Sequence, residues 1–540
     1  MKLFSFIVTL ALAACVVLSF PGTTTLAGEA APKGDDKAPQ GSPAFYPSAA
    51  HPVGWRGDGS GCYPGATPPL TWSRTEKGEK KNIVWETKLP CYSWSTPIIV
   101  GEKVFTRSEP YDFICLNKNT GKILWIRSHP PFIAVTAEEK KANPAFAQVE
   151  PLVAELQKVN DAFVAQGWTK ELYKQKYDLQ KKINDLTAQA DKKYKLPPDM
   201  YVESWGGYTG GTPCSDGEHV YFTSGDGITA CYDLDGNRKW ERYESEAAAW
   251  GEHGRAYSPT VVGDKLLVVG YALNKATGAE IWRPIYPAGQ QPRNVDAYAL
   301  FPFQAGGVDY MIYFGNFLRV SDGKIVVPCP ADLGGGLVVT HDSTAYFTGG
   351  CASFRKWEVK PDNELSVTPL IGEEYNRVRF PSGANPAFTF KLDDTIATFY
   401  TASPVYYDGL LYCVGNAGRL VVVDTQKTKQ ADAIVYTAFP AFDFKNGFGR
   451  KSYGMGLCAS PALAGKYIYM FDSAGCAVIM EPGREYKQIA KNTLDYTVPE
   501  GWEPKHWMGP HQEQTEASPV FEGGRIYVRG EQNLYCIGEK

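Results

Sequence analysis

The chain has 540 residues, a formal net charge of -4, an isoelectric point near 6.1, and 54 Gly, 38 Pro, 32 Tyr, 26 Phe and 13 Trp. That charge excludes the basic footprint of a nucleic-acid or polybasic membrane binder, so no nucleic acid is expected among its partners. Gly and Pro interleaved with aromatics indicate many short strands between tight turns, an all-β class, and the length suits one long array of repeats as well as several ordinary domains.

Residues 1–27 carry one lysine, an apolar run from Leu3 to Phe20 and then small residues, the pattern of a signal peptide. A secreted protein, periplasmic or extracellular, is therefore expected. Thr25-Leu26-Ala27 before Gly28 suits ordinary cleavage; Leu12-Ala13-Ala14-Cys15 resembles a lipoprotein box that would place a lipid on Cys15, although the apolar run continues past it. No later segment reaches the ~18 apolar residues that span a bilayer, so no transmembrane segment is expected. Residues 28–52, rich in Ala, Pro, Gly and charge, read as a flexible leader. Beyond Cys15 eleven cysteines remain, an odd number whose spacing defines no pairing. Cys115, Cys231 and Cys536 occupy one place in a repeated strand and read as small buried residues.

The hairpin "TPIIVGEKVFT" (96–106) returns as "TPCSDGEHVYF" (212–222), "SPTVVGDKLLV" (258–268), "SPVYYDGLLYC" (403–413), "SPALAGKYIYM" (460–470) and "SPVFEGGRIYV" (518–528). Each copy starts a strand with Pro, where the missing N–H costs least, and turns on Gly. Degenerate copies at 301–314 and 335–348 bring the count to eight. The better copies add a third strand, a turn and a Trp-bearing fourth strand, as in "FICLNKNTGKILWI" (113–126). The expected fold is an eight-bladed β-propeller of four-stranded antiparallel blades over residues 53–540. The last copy lacks its fourth strand, and "IVWETKLP" (83–90) has no hairpin before it. Pairing Leu534–Ile537 with Ile83–Leu89 would close the ring.

One stretch breaks the pattern. Within 137–198, Val149, Leu152, Val153, Leu156, Val159 and Phe163 recur at helical spacing; Gly167 stops the helix, Thr169 caps the next, and Leu172, Leu179, Ile183 and Leu186 continue the stripe. A helical hairpin insertion is expected, either packed on a blade or free to dock a partner.

Asn119-Thr120-Gly121-Lys122 with Trp125, and Ala276-Thr277-Gly278 with Trp282, resemble the tryptophan-docking turns of the pyrroloquinoline-quinone-like (PQQ-like, quinoprotein-type) propeller repeat family. "GWRGDGSG" (54–61) with "PPLTWS" (68–73) resembles the opening segment of a secreted, bacterial, largely uncharacterised subset of it. The resemblance implies the propeller fold. It implies two kinds of activity: quinone-dependent dehydrogenation, or protein binding in outer-membrane protein assembly.

In such a ring the segments before each Ser-Pro or Thr-Pro converge on one mouth of the channel. They supply aromatic faces (Tyr92, Trp94, Trp205, Tyr208, Tyr298, Tyr400, Tyr453), acids (Glu203, Glu252, Asp296, Glu513), cations (Arg255, Arg450) and His253, His506 and His511. Flat faces beside charge suit a protein partner or a carbohydrate-like ligand, so a binding or scaffold protein is the first expectation. A quinoprotein dehydrogenase oxidising an alcohol or sugar is the second. It would seat PQQ with calcium on Trp94 or Trp205, with Glu203, Glu252 and Arg255 around it, although the adjacent-cysteine pair of many such enzymes is missing. A metal-assisted carbohydrate lyase or hydrolase using His253, His506 and His511 is the third, on a spacing that matches no known ligand pattern. "RGD" (56–58) and the calcium-loop-like "DLDGN" (233–237) read as parts of turns.

Overall fold

The protein is described by a computed structural model covering residues 34–196, 207–244, 258–268, 270–285, 300–313, 316–327, 337–348, 354–359, 365–371, 402–415, 418–428, 430–442, 459–495 and 515–539. The signal-peptide and Cys15 readings lie outside these residues. Among the described residues the strands form eight sheets, each with a four-stranded antiparallel core. The first sheet holds Ile98–Val100, Lys103–Ser108, Asp112–Asn117 and Ile123–Ser128. The second starts at Cys214–Ser215, the third at Thr260–Val262, the fourth at Phe301–Ala305, the fifth at Leu337–His341, the sixth at Val405–Tyr407 and the seventh at Ala462–Ala464.

The eighth sheet joins the two ends of the described chain. Val520–Glu522, Arg525–Arg529 and Asn533–Gly538 are followed in hydrogen-bond order by Ile83–Lys88, with Leu534 opposite Thr87 and Cys536 opposite Trp85. The third and fourth strands of every sheet carry one register shift. Such a bulge bends the outer strand and strengthens its twist.

A Trp beside that bulge faces a small residue on the third strand: Trp85 opposite Cys536, Trp125 opposite Cys115, Trp240 opposite Cys231 and Trp282 opposite Ala272. The three cysteines are buried and reduced, and the small partner leaves room for the indole. Each indole then reaches the next sheet. Nε1 of Trp85, Trp125, Trp240 and Trp282 donates to the carbonyls of Lys118, Leu234, Lys275 and Val320, at 2.9, 3.4, 2.9 and 2.9 Å. The ring lies over a turn glycine with positive φ: a Cβ on Gly121 would stand 2.6 Å from Trp85, and one on Gly278 2.6 Å from Trp240. Gly278→Ala is expected to lower stability by about 1–3 kcal/mol, read by urea denaturation. Elsewhere rings span the gap between sheets, Phe317 on Trp357 at 5.5 Å and Tyr346 on Tyr406 at 5.2 Å.

The helical segment forms α1 (Ala137–Ala142), α2 (Glu150–Gln166) and α3 (Lys170–Ala190). Thr136 and Glu139 make a capping box on α1, Gly167 ends α2 at φ 79°, and the Thr169 hydroxyl accepts from Leu172 N–H to start α3. Leu156, Val159, Phe163, Leu179 and Ile183 share one apolar core with Ile114 and Ile126 of the first sheet. A buried polar network crosses this joint: Lys176 Nζ stands 2.8 Å from Asp112 Oδ2 and donates to Asn160, whose amide donates to Ser128 Oγ (3.0 Å). Ser128 Oγ donates in turn to Asp112 Oδ1 (2.6 Å).

Residues 34–74 run over several sheets. Tyr46 donates to Gly217 O (2.9 Å), Gly41 O accepts from Gly523 N–H (2.7 Å), and Val53 and Ser215 exchange backbone bonds. Composition read residues 28–52 as a leader, and these contacts fix the part from Gly34 onward. Cys62–Tyr63 pairs in parallel with Leu463 and Ala464 on the first-strand edge of the seventh sheet. Ser73–Arg74 pairs in parallel with Thr493 and Leu494 on its fourth-strand edge. Arg56 of "RGD" is 1% exposed, which removes an adhesive role. In "DLDGN", Asp233 Oδ1 accepts from the N–H groups of Asp235 and Asn237, so the motif is a turn.

Candidate functional site

Of the predicted mouth residues, Tyr92, Trp94 and Tyr208 are described; Glu203, Trp205, Glu252, His253, Arg255, Asp296, Tyr298, Tyr400, Arg450, Tyr453, His506, His511 and Glu513 lie outside the described residues. Tyr92 and Trp94 are half-buried on the link from Ile83–Lys88 to the first sheet, and Tyr208 is 4% exposed before the second. The structure brings these two segments together. Ser93 Oγ donates to Thr209 O (3.1 Å) and Thr209 Oγ1 contacts Ser93 Oγ (3.0 Å).

Two buried ionisable side chains hold them. Glu109, fully buried, accepts from Tyr208 N–H (3.0 Å), Thr209 N–H (2.7 Å) and the Thr209 hydroxyl. Gly207 (φ +64°) makes this possible, since a Cβ there would overlap the carboxylate. On the other side Arg529 Nη2 donates to Cys91 O (3.0 Å) and Nε to Ser93 O (3.3 Å). Arg107 stands at the matching place of the first sheet and reaches the second in the same way, to Thr223 O and to Ser224 Oγ (2.9 Å), with its guanidinium 4.5 Å over Phe222. Each arginine follows its Thr-Pro or Ser-Pro start, Thr96 or Ser518, by eleven positions, a signal present in the sequence and missed by apolar patterning.

A second set of links was also missed. Ser403 N–H donates to Ser460 Oγ (3.0 Å), Ser460 N–H to Ser518 Oγ (3.1 Å), Ser518 N–H to Thr96 Oγ1 (3.2 Å), and Thr212 N–H to Ser258 Oγ (3.0 Å). The hydroxyls of Thr96, Ser258, Ser460 and Ser518, each before a Pro, thus receive the N–H of the equivalent residue in a neighbouring sheet. A buried backbone N–H needs an acceptor, and the hydroxyl oxygen of the neighbouring sheet supplies it.

Burial pushes the Glu109 carboxyl up to about 8, against the pull of its Thr209 and Tyr208 donors, and lifts Asp226 to about 6. Burial and nearby Arg107 drive His129 down to about 3, so it is neutral, with Nε2 2.7 Å from the Tyr232 hydroxyl. A carboxyl raised on folding binds its proton more tightly in the folded state. Its stabilisation is therefore complete below the unfolded value and is lost as pH rises through the folded one. Unfolding free energy should fall between about pH 5 and about pH 8, and Glu109→Gln should flatten the upper half of that slope, read by urea melts across pH.

Of the residues named for a calcium–quinone site, Trp94 alone is described. Glu109 is enclosed by donors from Tyr208 and Thr209, and no step through a quinone is derived. Among the described residues no helix is long and apolar enough to cross a membrane.

Residues 203–317 match a family model described as "Outer membrane protein assembly factor BamB". No curated protein matches. Among solved structures, quinohemoprotein alcohol dehydrogenase from Comamonas testosteroni aligns over 90% of this chain and 81% of its own, with 10% identity and a TM-score of 0.47. BamB from Moraxella catarrhalis aligns over 81% and 82%, with 10% identity and a TM-score of 0.35. The computationally designed Ika8 protein aligns over 85% and 100%, with 7% identity and a TM-score of 0.46. The matched segment, residues 203–317, contains the turn and indole of the third sheet, and the same strand–turn–Trp unit recurs outside it: the matched segment carries the PQQ-like repeat.

Proposed function

We propose that this chain is an exported, eight-bladed propeller, closed through Ile83–Lys88 and Asn533–Gly538, that acts as a binding or scaffold protein through the mouth beside Tyr92, Trp94 and Tyr208. The observation that carries the binding reading is the pair of buried anchors, Glu109 under Tyr208–Thr209 and Arg529 under Cys91–Ser93. They fix loop backbone on rigid sheets, so a ligand would meet surfaces whose ordering cost has already been met in folding. Glu109 is spent on this positioning and is not free to act as a base. The helical segment and the leader complete the proposal: residues 137–198 form an outer arm fused to the first sheet, and residues 1–27 direct export. The BamB description of the matched family model favours a protein partner over a small substrate.

The test is display of the purified protein on glycan and peptide arrays, with Trp94→Ala as control. A reproducible signal that Trp94→Ala abolishes, while its melting temperature stays within a few degrees of the parent, is the expected result. A blank array together with saturable binding of micromolar PQQ in calcium and dye-linked alcohol oxidation would replace this reading with the dehydrogenase one.

A further inference from the structure

The polar network at the joint of helices and sheet holds more than an ion pair requires. Asp112 and Ser128 stand opposite each other at the end of neighbouring strands of the first sheet, Asn160 lies on α2 and Lys176 on α3. Asp112 and Asn160 are 0% exposed and Lys176 2%, with the Phe163 ring 5.8 Å from Nζ. The pair with Asp112 Oδ2 (2.8 Å) accounts for the buried lysine but not for the asparagine beside it. Asn160 turns its amide oxygen to Lys176 Nζ and its amide nitrogen to Ser128 Oγ (3.0 Å), and Ser128 Oγ is bonded to Asp112 Oδ1 (2.6 Å). An amine therefore stands beside an amide carbonyl in a dry core, with a carboxylate on the amine and a hydroxyl on the nitrogen that would leave.

We propose that Lys176 Nζ and Asn160 Cγ join in an amide bond once the chain has folded, with Asp112 as the base and Ser128 as the proton relay. The Nζ ammonium first gives a proton to Asp112 Oδ2. Burial, which pushes this carboxyl up against the pull of Lys176, Ser128 and Arg107, favours that exchange. The free amine then adds to Cγ, so that the Nζ–Cγ bond forms and the Cγ–Nδ2 bond breaks. Of the two protons that leave Nζ, one reaches Nδ2 through Asp112 and Ser128, ammonia departs, and the other stays on Asp112 as a neutral acid. No oxidant, water or cofactor enters. Holding the two groups in contact replaces a bimolecular encounter, an effective concentration of about 10⁵–10⁸ M for well-oriented groups. The product locks α2 to α3 over the first sheet, and the described cysteines, all free, supply no cross-link of their own. Chains in which the bond has not formed keep the Lys176–Asp112 ion pair, and the stability of Lys176 variants is compared with that unjoined fraction, which its mass identifies.

The test is intact-mass spectrometry of the purified protein followed by tryptic peptide mapping. The chain is expected to weigh about 17 Da, one ammonia, less than its sequence counted from the observed N-terminus. Residues 159–170 are expected to appear joined to residues 175–181 as one branched peptide, uncut at Lys176. Lys176→Met and Asn160→Ala should each restore the full mass. Asp112→Asn should keep the two partners yet leave them unjoined, and Ser128→Ala should slow joining by about tenfold or more. A parent protein at full mass that yields the two peptides separately would overturn the proposal. So would the same loss of ammonia found as a succinimide at Asn160, with the chain cut at Lys176. Both results are read on the parent protein, so the outcome does not depend on any variant folding.

Discussion

A chain ending at Gly530 should give no soluble protein that melts cooperatively. Asn533–Gly538 lies between Arg525–Arg529 and Ile83–Lys88, and all six of its residues are buried. Loss of Leu534, Tyr535, Cys536 and Ile537 removes about 1.5–3 kcal/mol for each large apolar side chain. It also leaves two neighbouring strands with open edges and takes the opposing wall from Trp85. The total is of the order of the whole stability of a typical domain, about 5–15 kcal/mol. Removal of the chain up to Lys88 should fail in the same way, because Asn533–Gly538 then has no outer partner. Size-exclusion chromatography with thermal melting reads both, and a monomeric truncation with a single sharp transition would contradict the proposed closure.

The second large effect is expected at the joint between helices and sheet. Lys176→Met should destabilise by about 3–5 kcal/mol, because it leaves Asp112, 0% exposed, as an uncompensated buried charge. Burial already biases the Asp112 carboxyl upward, with Lys176 opposing it, so the single variant should also take up a proton at higher pH than the parent. The double variant Lys176→Met, Asp112→Leu should recover most of the loss, since an apolar pair of similar volume avoids the desolvation of both ions. Urea denaturation of the four proteins gives the coupling energy, and additive effects would show that the pair does not act as a unit. Deleting 137–198 should be worse than either single change, because it uncovers Ile114 and Ile126, which share a core with Leu156, Phe163 and Ile183.

The repeat was legible because Pro, Gly and Trp are positional signals. Pro404 and Pro461 precede the first strands of their sheets, Gly121 and Gly278 turn where an indole must lie, and Gly167 and Thr169 divide two helices as expected. The pairing of the two termini was legible too, since "IVWETKLP" carried the fourth-strand signature without a hairpin of its own. What escaped was everything made between units. The hydroxyl links, the arginines that cross to the next sheet and the insertion of Arg56 join residues far apart in sequence, and a polar residue in a strand pattern looks alike whether it faces water or a neighbour's carbonyl. Composition also misjudged Gly34 to Ala50. Ala, Pro and Gly give little apolar driving force, yet Gly41 O accepts from Gly523 N–H and the Tyr46 hydroxyl donates to Gly217 O.

The two-sided grip of residues 62–74 on the seventh sheet bears on how the molecule is assembled. Cys62–Tyr63 and Ser73–Arg74 find their partners about four hundred positions later, and Ile83–Lys88 waits for the last strand of the chain. Contacts of such long sequence separation form slowly, since loop closure must precede any gain from pairing. During synthesis residues 62–88 are therefore among the last to settle. Until Asn533–Gly538 arrives, Ile83–Lys88 is an unpaired strand carrying Trp85, a species that a holding chaperone would recognise and that a stalled chain could not outgrow.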